Sequence, residues 1–144
     1  MHHRVFVYGT LLRGEVNHHR LDGAELLGAC RTDPCFRMFN LGAYPGLAWG
    51  GQTAVYGEVY RVDGAGLRYL DRLEEYPRLY DRQQVSTPFG RAWIFLYRGE
   101  LSGRPVIQGG DWRAFAADPD SIRAAGIRGT RDPKNRRRLR VAAG

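Results

Sequence analysis

Nineteen glycines are spread through the 144 residues as punctuation between short apolar runs, and no other feature constrains the fold more. Glycine marks the places where a backbone turns or a helix stops, so the chain has to be assembled from many short elements. No apolar run approaches the roughly 18 residues that would cross a bilayer as a helix. With 43% hydrophobic and 26% charged residues, the composition is that of one ordinary globular domain. A chain of about 150 residues hides roughly two thirds of the surface its unfolded form exposes, so the core needs neither disulfides nor metal.

The order of these elements predicts the fold class. Residues 4–8 are an apolar run, read as a buried first strand that ends at Gly9. A loop through Gly14 and a helix over about residues 15–26 follow, and residues 28–41 are extended with a mixed period. Gly42-Ala43-Tyr44-Pro45-Gly46 is a turn. Residues 53–62 alternate as a strand, with Val55, Gly57 and Val59 on one face and Tyr56, Glu58, Tyr60 and Val62 on the other. Asp63 caps a helix over about residues 64–75, which Pro77 ends. Residues 80–87 and 91–97 form a hairpin through Pro88-Phe89-Gly90, residues 111–115 make one helical turn, and Asp118-Pro119 is a cap followed by proline. Strands and helices are intermixed without strict alternation, so the expected class is α+β with a small mixed sheet rather than a doubly wound one.

The formal charge of +7 is unevenly placed. Residues 128–144 hold seven basic side chains against Asp132 alone, leaving a balance of only +1 for residues 1–127. A nearly neutral body with a basic tail does not describe a nucleic-acid-binding fold, and nucleic acid is not expected as a partner. The chain divides into a domain over 1–127 and a tail over 128–144. The amino terminus runs directly into the first strand, and Cys30 and Cys35 lack the partner pair of a zinc site. The expected setting is the cytoplasm, where both thiols stay reduced, with no membrane partner.

Two places could carry chemistry. The loop Gly9-Thr10-Leu11-Leu12-Arg13-Gly14 leaves a buried strand, where unpaired backbone N–H groups can face an anion. It lacks the spacing of a dinucleotide fingerprint or a P-loop, and an ordinary turn is the alternative. In the helix before Pro77, about 100° per residue puts Glu74 inside the stripe of Leu67 and Leu70, while Glu75 falls beside Arg68 and Arg72 on the charged face. A carboxyl group among leucines at the negative end of a helix is suited to accepting and returning a proton. A buried ion pair to an arginine such as Arg82 is the competing reading. His2-His3 and His18-His19 lack ligand spacing, the cysteines read as structural thiols, and Glu58 reads by default as an exposed strand carboxylate, with an acid pointing into a barrel as the alternative.

Taken together, Val5-Phe6-Val7-Tyr8-Gly9-Thr10-Leu11-Leu12-Arg13-Gly14, Asn17-His18, Gly57-Glu58-Val59-Tyr60, Leu70-Asp71-Arg72-Leu73-Glu74 and Tyr80-Asp81-Arg82 resemble the γ-glutamylcyclotransferase-like superfamily. The resemblance covers residues 4–115 and is closest to γ-glutamylamine cyclotransferase and its small bacterial relatives. It implies a small mixed β-barrel flanked by short helices. It also implies a cofactor-free enzyme that cyclises the γ-glutamyl group of a small-molecule amide to 5-oxoproline and releases an amine. By the same resemblance, Tyr8, Gly9, Thr10 and Leu11 bind the substrate carboxylate, Glu74 is the catalytic carboxylate, Tyr80 lines the pocket, and no metal takes part. Glu75 stands where many members of the family have glycine. A non-catalytic module binding small carboxylated ligands with the same loop is the alternative, and a tail-driven polyanion binder is a third reading.

Overall fold

The computed structural model describes residues 1–118. The tail over 128–144, the end of the 1–127 domain and the proline of the Asp118-Pro119 pair lie outside the described residues. Five strands form a mixed sheet: β1 (His2–Val7), β2 (Glu25–Arg31), β5 (Tyr56–Asp63), β6 (Tyr80–Thr87) and β7 (Gly90–Tyr97), in the order β2-β5-β1-β7-β6. Strand β1 lies at the centre, antiparallel to β5 and parallel to β7. Both of its faces are covered, which explains the unbroken apolar run Val5-Phe6-Val7-Tyr8, all at 0% exposure. The remaining strands, β3 (Phe36–Asn40) and β4 (Pro45–Trp49), make a separate hairpin that lies against β7.

The class is α+β, as expected, but the sheet does not close into a barrel. Strands β2 and β6 remain edges, and β6 carries the polar outward residues Gln83, Gln84 and Ser86 that suit an edge. One end curls inward all the same. The β6–β7 turn folds back so that Phe89 lies on Gly28 of β2, where a Cβ would stand 2.3 Å from the ring, and Arg4 Nε donates to the Phe89 carbonyl at 2.6 Å. Glycine at position 28 is what admits the ring.

The helix expected over residues 15–26 is absent. Asn17 turns inward, donating its backbone N–H to the Thr10 carbonyl at 2.9 Å and its side-chain amide to Thr10 Oγ1 at 3.1 Å. The segment proceeds by short turns, with one 3₁₀ turn over His18–Leu21 and a left-handed Gly23. Only Leu21 of this turn reaches the core and Val16 is exposed, so there is no continuous apolar stripe to hold a helix.

Helix α1 (Gly64–Leu73) starts as expected, with Asp63 Oδ1 accepting from Gly66 N–H at 2.7 Å. It stops earlier than Pro77 demands. Glu74 is the cap, Glu75 turns left-handed at φ 53°, and the N–H groups of Glu75 and Tyr76 bond back to the carbonyls of Arg72 and Asp71. Helix α2 (Trp112–Ala117) is capped by Asp111 Oδ1 on Ala114 N–H at 3.2 Å. No helix among the described residues is long and apolar enough to cross a membrane.

Candidate active site

Strand β1 delivers Tyr8 and then leaves the sheet into the 9–14 loop. Gly9, Thr10 and Leu11 are all buried. The loop's carbonyls are engaged: Gly9 accepts from Leu12 N–H at 3.1 Å, Thr10 from Asn17 N–H, and Leu11 lies 2.9 Å from His18 Nδ1. Among the described residues, no hydrogen bond is donated by the N–H groups of Gly9, Thr10 or Leu11. Buried amides without an acceptor are costly in a folded chain, which makes these three candidates for holding an anion.

Glu74 caps the end of α1. Its own N–H is fixed to the Leu70 carbonyl at 2.9 Å, and its side chain is fully buried, as the helical wheel predicted. Two phenols share its surroundings. Tyr8 and Tyr80 are both fully buried; Tyr8 donates to the Phe95 carbonyl at 2.6 Å and Tyr80 to the Pro45 carbonyl at 3.2 Å. Burial pushes the Tyr8 hydroxyl well above its ordinary range, and the nearby Glu74 charge pushes it further. Tyr80 is raised first by burial, then by Tyr8, Glu74, Tyr44 and Tyr97. Both phenols therefore stay neutral donors. The charge of the buried Glu74 thus acts on both Tyr8 and Tyr80, and residues 9–11 continue directly from Tyr8.

The ion pair weighed for Glu74 is not made by Arg82. That guanidinium grips Asp71 with two hydrogen bonds and lies between the rings of Tyr76 and Trp93. Glu75 is at the surface and pairs with Arg78 at 3.0 Å, as its place on the charged face predicts.

Glu58 departs most from the sequence reading. Far from being an exposed carboxylate, it is at 0% exposure. Its Oε1 accepts from Arg13 N–H at 3.1 Å and from the Tyr60 hydroxyl at 3.0 Å, and its Oε2 from Arg13 Nε at 3.1 Å. Arg113 Nη1 of α2 stands 3.8 Å from the same Oε2. A signal was present in the shared strand face of Glu58 and Tyr60, but nothing local announces that Arg13, 45 positions earlier, folds onto it. The cysteines are half-buried and free, with burial raising both thiols. A cleft of about 660 Å³ lies toward the amino-terminal end of α1, lined by Arg20, Arg61, Asp63 and Tyr69 among others, and is not lined by Tyr8, residues 9–11, Glu58, Glu74 or Tyr80.

Comparison with known proteins supplies the context for this geometry. The family described as gamma-glutamyl cyclotransferase, AIG2-like, matches residues 5–114. A Vibrio cholerae protein is 49% identical over 112 residues, covering 78% of this chain and 96% of its own. The Escherichia coli gamma-glutamylcyclotransferase family protein YtfP is 42% identical over 109 residues, covering 76% and 95%. Zebrafish gamma-glutamylaminecyclotransferase A is 39% identical over 90 residues, 56% of each chain. Among solved structures, an AIG2-like protein of Mus musculus superposes with a TM-score of 0.64 at 29% identity, covering 83% of this chain and 92% of that one.

Proposed function

The chain belongs to the AIG2-like γ-glutamyl cyclotransferase family, and from that premise we propose that it converts a γ-glutamyl amine to 5-oxoproline and the free amine. The substrate's α-amino nitrogen attacks its own γ-amide carbonyl carbon and closes the lactam ring. The bond from that carbon to the leaving nitrogen breaks, and the two protons given up by the α-ammonium, one before attack and one on ring closure, end on the departing amine, which leaves as its ammonium. Nucleophile and electrophile share one molecule, so the site chiefly supplies geometry and a path for the proton, without a cofactor.

In this reading Glu74 takes these protons one at a time and passes them to the leaving nitrogen. The amides of residues 9–11 hold the α-carboxylate, and Tyr8 and Tyr80, kept neutral by burial, line the pocket as hydrogen-bonding groups. The observation that carries the reading is that one stretch of chain joins three buried amides free of acceptors among the described residues to Tyr8, which lies in the field of the buried Glu74. The amine class of substrate is supported by the name of the zebrafish relative.

The test is 5-oxoproline release from a panel of γ-glutamyl amines. Glu74→Gln keeps the shape of the side chain but carries no proton, so turnover falls by about a hundredfold to ten-thousandfold, while Glu75→Gln is nearly silent. Wild-type protein that releases no 5-oxoproline from any member overturns the reading. If that inactive protein still binds 5-oxoproline, it is a ligand-binding module of the same fold.

A further inference from the structure

We infer that Glu58 is the positioning residue of the carboxylate cradle, holding the 9–14 loop in its binding form through Arg13 and docking α2 onto it through Arg113. The inference rests on the reading of residues 9–11 as the cradle.

Glu58 lies opposite Val7 in the β1–β5 register, where β1 ends just before the loop. From that point its carboxylate takes both the main-chain N–H and the guanidinium of Arg13, so backbone and side chain of one loop residue are fixed by one buried group. Arg113 approaches from the outside. It donates from Nη1 to the Arg13 carbonyl at 2.6 Å and from Nη2 to the Tyr56 hydroxyl at 3.2 Å, and its guanidinium lies over the Tyr56 ring. Its neighbour Trp112 donates Nε1 to Glu15 Oε1 at 3.1 Å, just past Gly14. The far half of the loop is therefore clasped between β5 and α2. The near half, whose amides face the ligand in this reading, hangs between that clasp and the sheet.

Among the described residues, the near half is held locally by Asn17 on Thr10, by His18 on the Leu11 carbonyl and by the Leu12 N–H on the Gly9 carbonyl. Its placement depends also on the far end of the loop, which Glu58 sets. A burial this complete is tolerated because every approach to the carboxylate is a donor: Arg13, Tyr60 and Arg113. Two guanidinium groups meet the Glu58 carboxylate, and Glu15 also acts on Arg113, so Glu58 offsets part of the positive charge beside a loop suited to anions.

The Glu58 charge gives the test a sign. Glu58→Gln removes a negative charge from the cluster, so a purely electrostatic role predicts tighter binding of an anion, whereas a positioning role predicts weaker binding. The expected result is that the Kd for 5-oxoproline and the KM for a γ-glutamyl amine rise together, by roughly tenfold to a hundredfold, while kcat at saturation stays within about threefold. Arg113→Gln, which alters a more exposed side chain, tests the same link with little risk to folding and is expected to move KM and Kd in the same direction. Amide hydrogen exchange supplies the structural readout: the 9–14 segment exchanges faster in both variants, and α1 does not.

Folded Glu58→Gln and Arg113→Gln proteins with unchanged or tighter binding overturn the proposal and leave the cyclotransferase reading intact. Wild type that neither binds 5-oxoproline nor turns over substrate overturns that reading, and the proposal with it. A Glu58→Gln protein that does not fold leaves the decision to Arg113→Gln, whose KM and Kd must rise.

Discussion

Arg82 grips Asp71 with both prongs, Nε to Oδ1 at 2.8 Å and Nη2 to Oδ2 at 3.1 Å, three residues before the carboxylate expected to do the chemistry. The guanidinium also lies 4.5 Å from the ring centre of Tyr76 and 4.2 Å from that of Trp93. It thereby ties the end of α1, on both sides of Glu74, to β6 and β7. The pair is mostly shielded, with 14% and 17% of the two side chains exposed, so it is stronger than an ordinary surface ion pair.

Lysine keeps the charge of Arg82 but has neither the fork nor the flat face. Arg82→Lys is expected to cost about 1–2 kcal/mol in stability and to lower turnover more than it weakens 5-oxoproline binding, because it loosens the segment carrying Glu74 and leaves the 9–11 loop alone. Thermal unfolding and a KM-against-kcat comparison check this. A variant with wild-type melting and turnover would show that the contact holds nothing in place.

The turn after Glu74 supplies the second expectation. Glu75 sits at φ 53° because the helix ends in a left-handed residue whose N–H bonds back to Arg72. Glycine adopts that geometry without the penalty of about 1 kcal/mol that a side chain incurs there. Its exposed partner Arg78 contributes only a few tenths in return. Glu75→Gly should therefore raise the unfolding free energy by about 0.5 kcal/mol, and Glu75→Val should lower it by about 1 kcal/mol or more. Denaturant titration of the two variants gives the answer; a valine variant as stable as the glycine one contradicts it.

Much of this site follows from local pattern. Glu74 is legible because a helical period of about 3.6 residues puts it in line with Leu67 and Leu70, and Tyr8 because the run before Gly9 is apolar at every position. Glu58 is not legible, since whether a strand residue is buried depends on what covers that face, and here the cover is Arg13 and α2 from distant parts of the chain. The 15–26 segment misleads for a related reason. Its composition permits a helix, but the carbonyls of Glu15, Asn17, His19 and Leu21 accept from N–H groups three residues on, as separate turns, while Asn17 is drawn inward onto Thr10. Closure of the sheet is equally out of reach, because it turns on whether the edges β2 and β6 pair, and neither strand carries a local signal for that.

Three of the eight tyrosines set an alkaline limit. Tyr8, Tyr60 and Tyr80 all have hydroxyls raised by burial, Tyr60 further by its bond to Glu58 and Tyr8 and Tyr80 further by Glu74. A phenol whose value is higher folded than unfolded contributes stability that is complete below about pH 10, the unfolded value, and is lost as the pH rises beyond it. The fold should weaken progressively above that point. Absorbance at the phenolate band should show some tyrosines ionising while circular dichroism is native and the rest only with unfolding. Ionisation of all eight with the fold intact would contradict the burial described for these three.

The last expectation separates holding the substrate from transforming it. Gly9 opens the loop immediately after Tyr8, in buried surroundings, and a backbone cradle tolerates little bulk where a carboxylate approaches. Gly9→Val should weaken 5-oxoproline and substrate binding together, by roughly tenfold or more, and Gly9→Ala should do so to a smaller degree if valine prevents folding. Glu74→Gln should show the reverse pattern, with 5-oxoproline bound within about threefold of wild type and turnover lost. Titration calorimetry with 5-oxoproline alongside turnover of one γ-glutamyl amine measures both. Binding unchanged in folded Gly9→Val and Gly9→Ala removes the loop from the site, whereas binding lost in Glu74→Gln means that Glu74 holds the ligand instead of moving its proton.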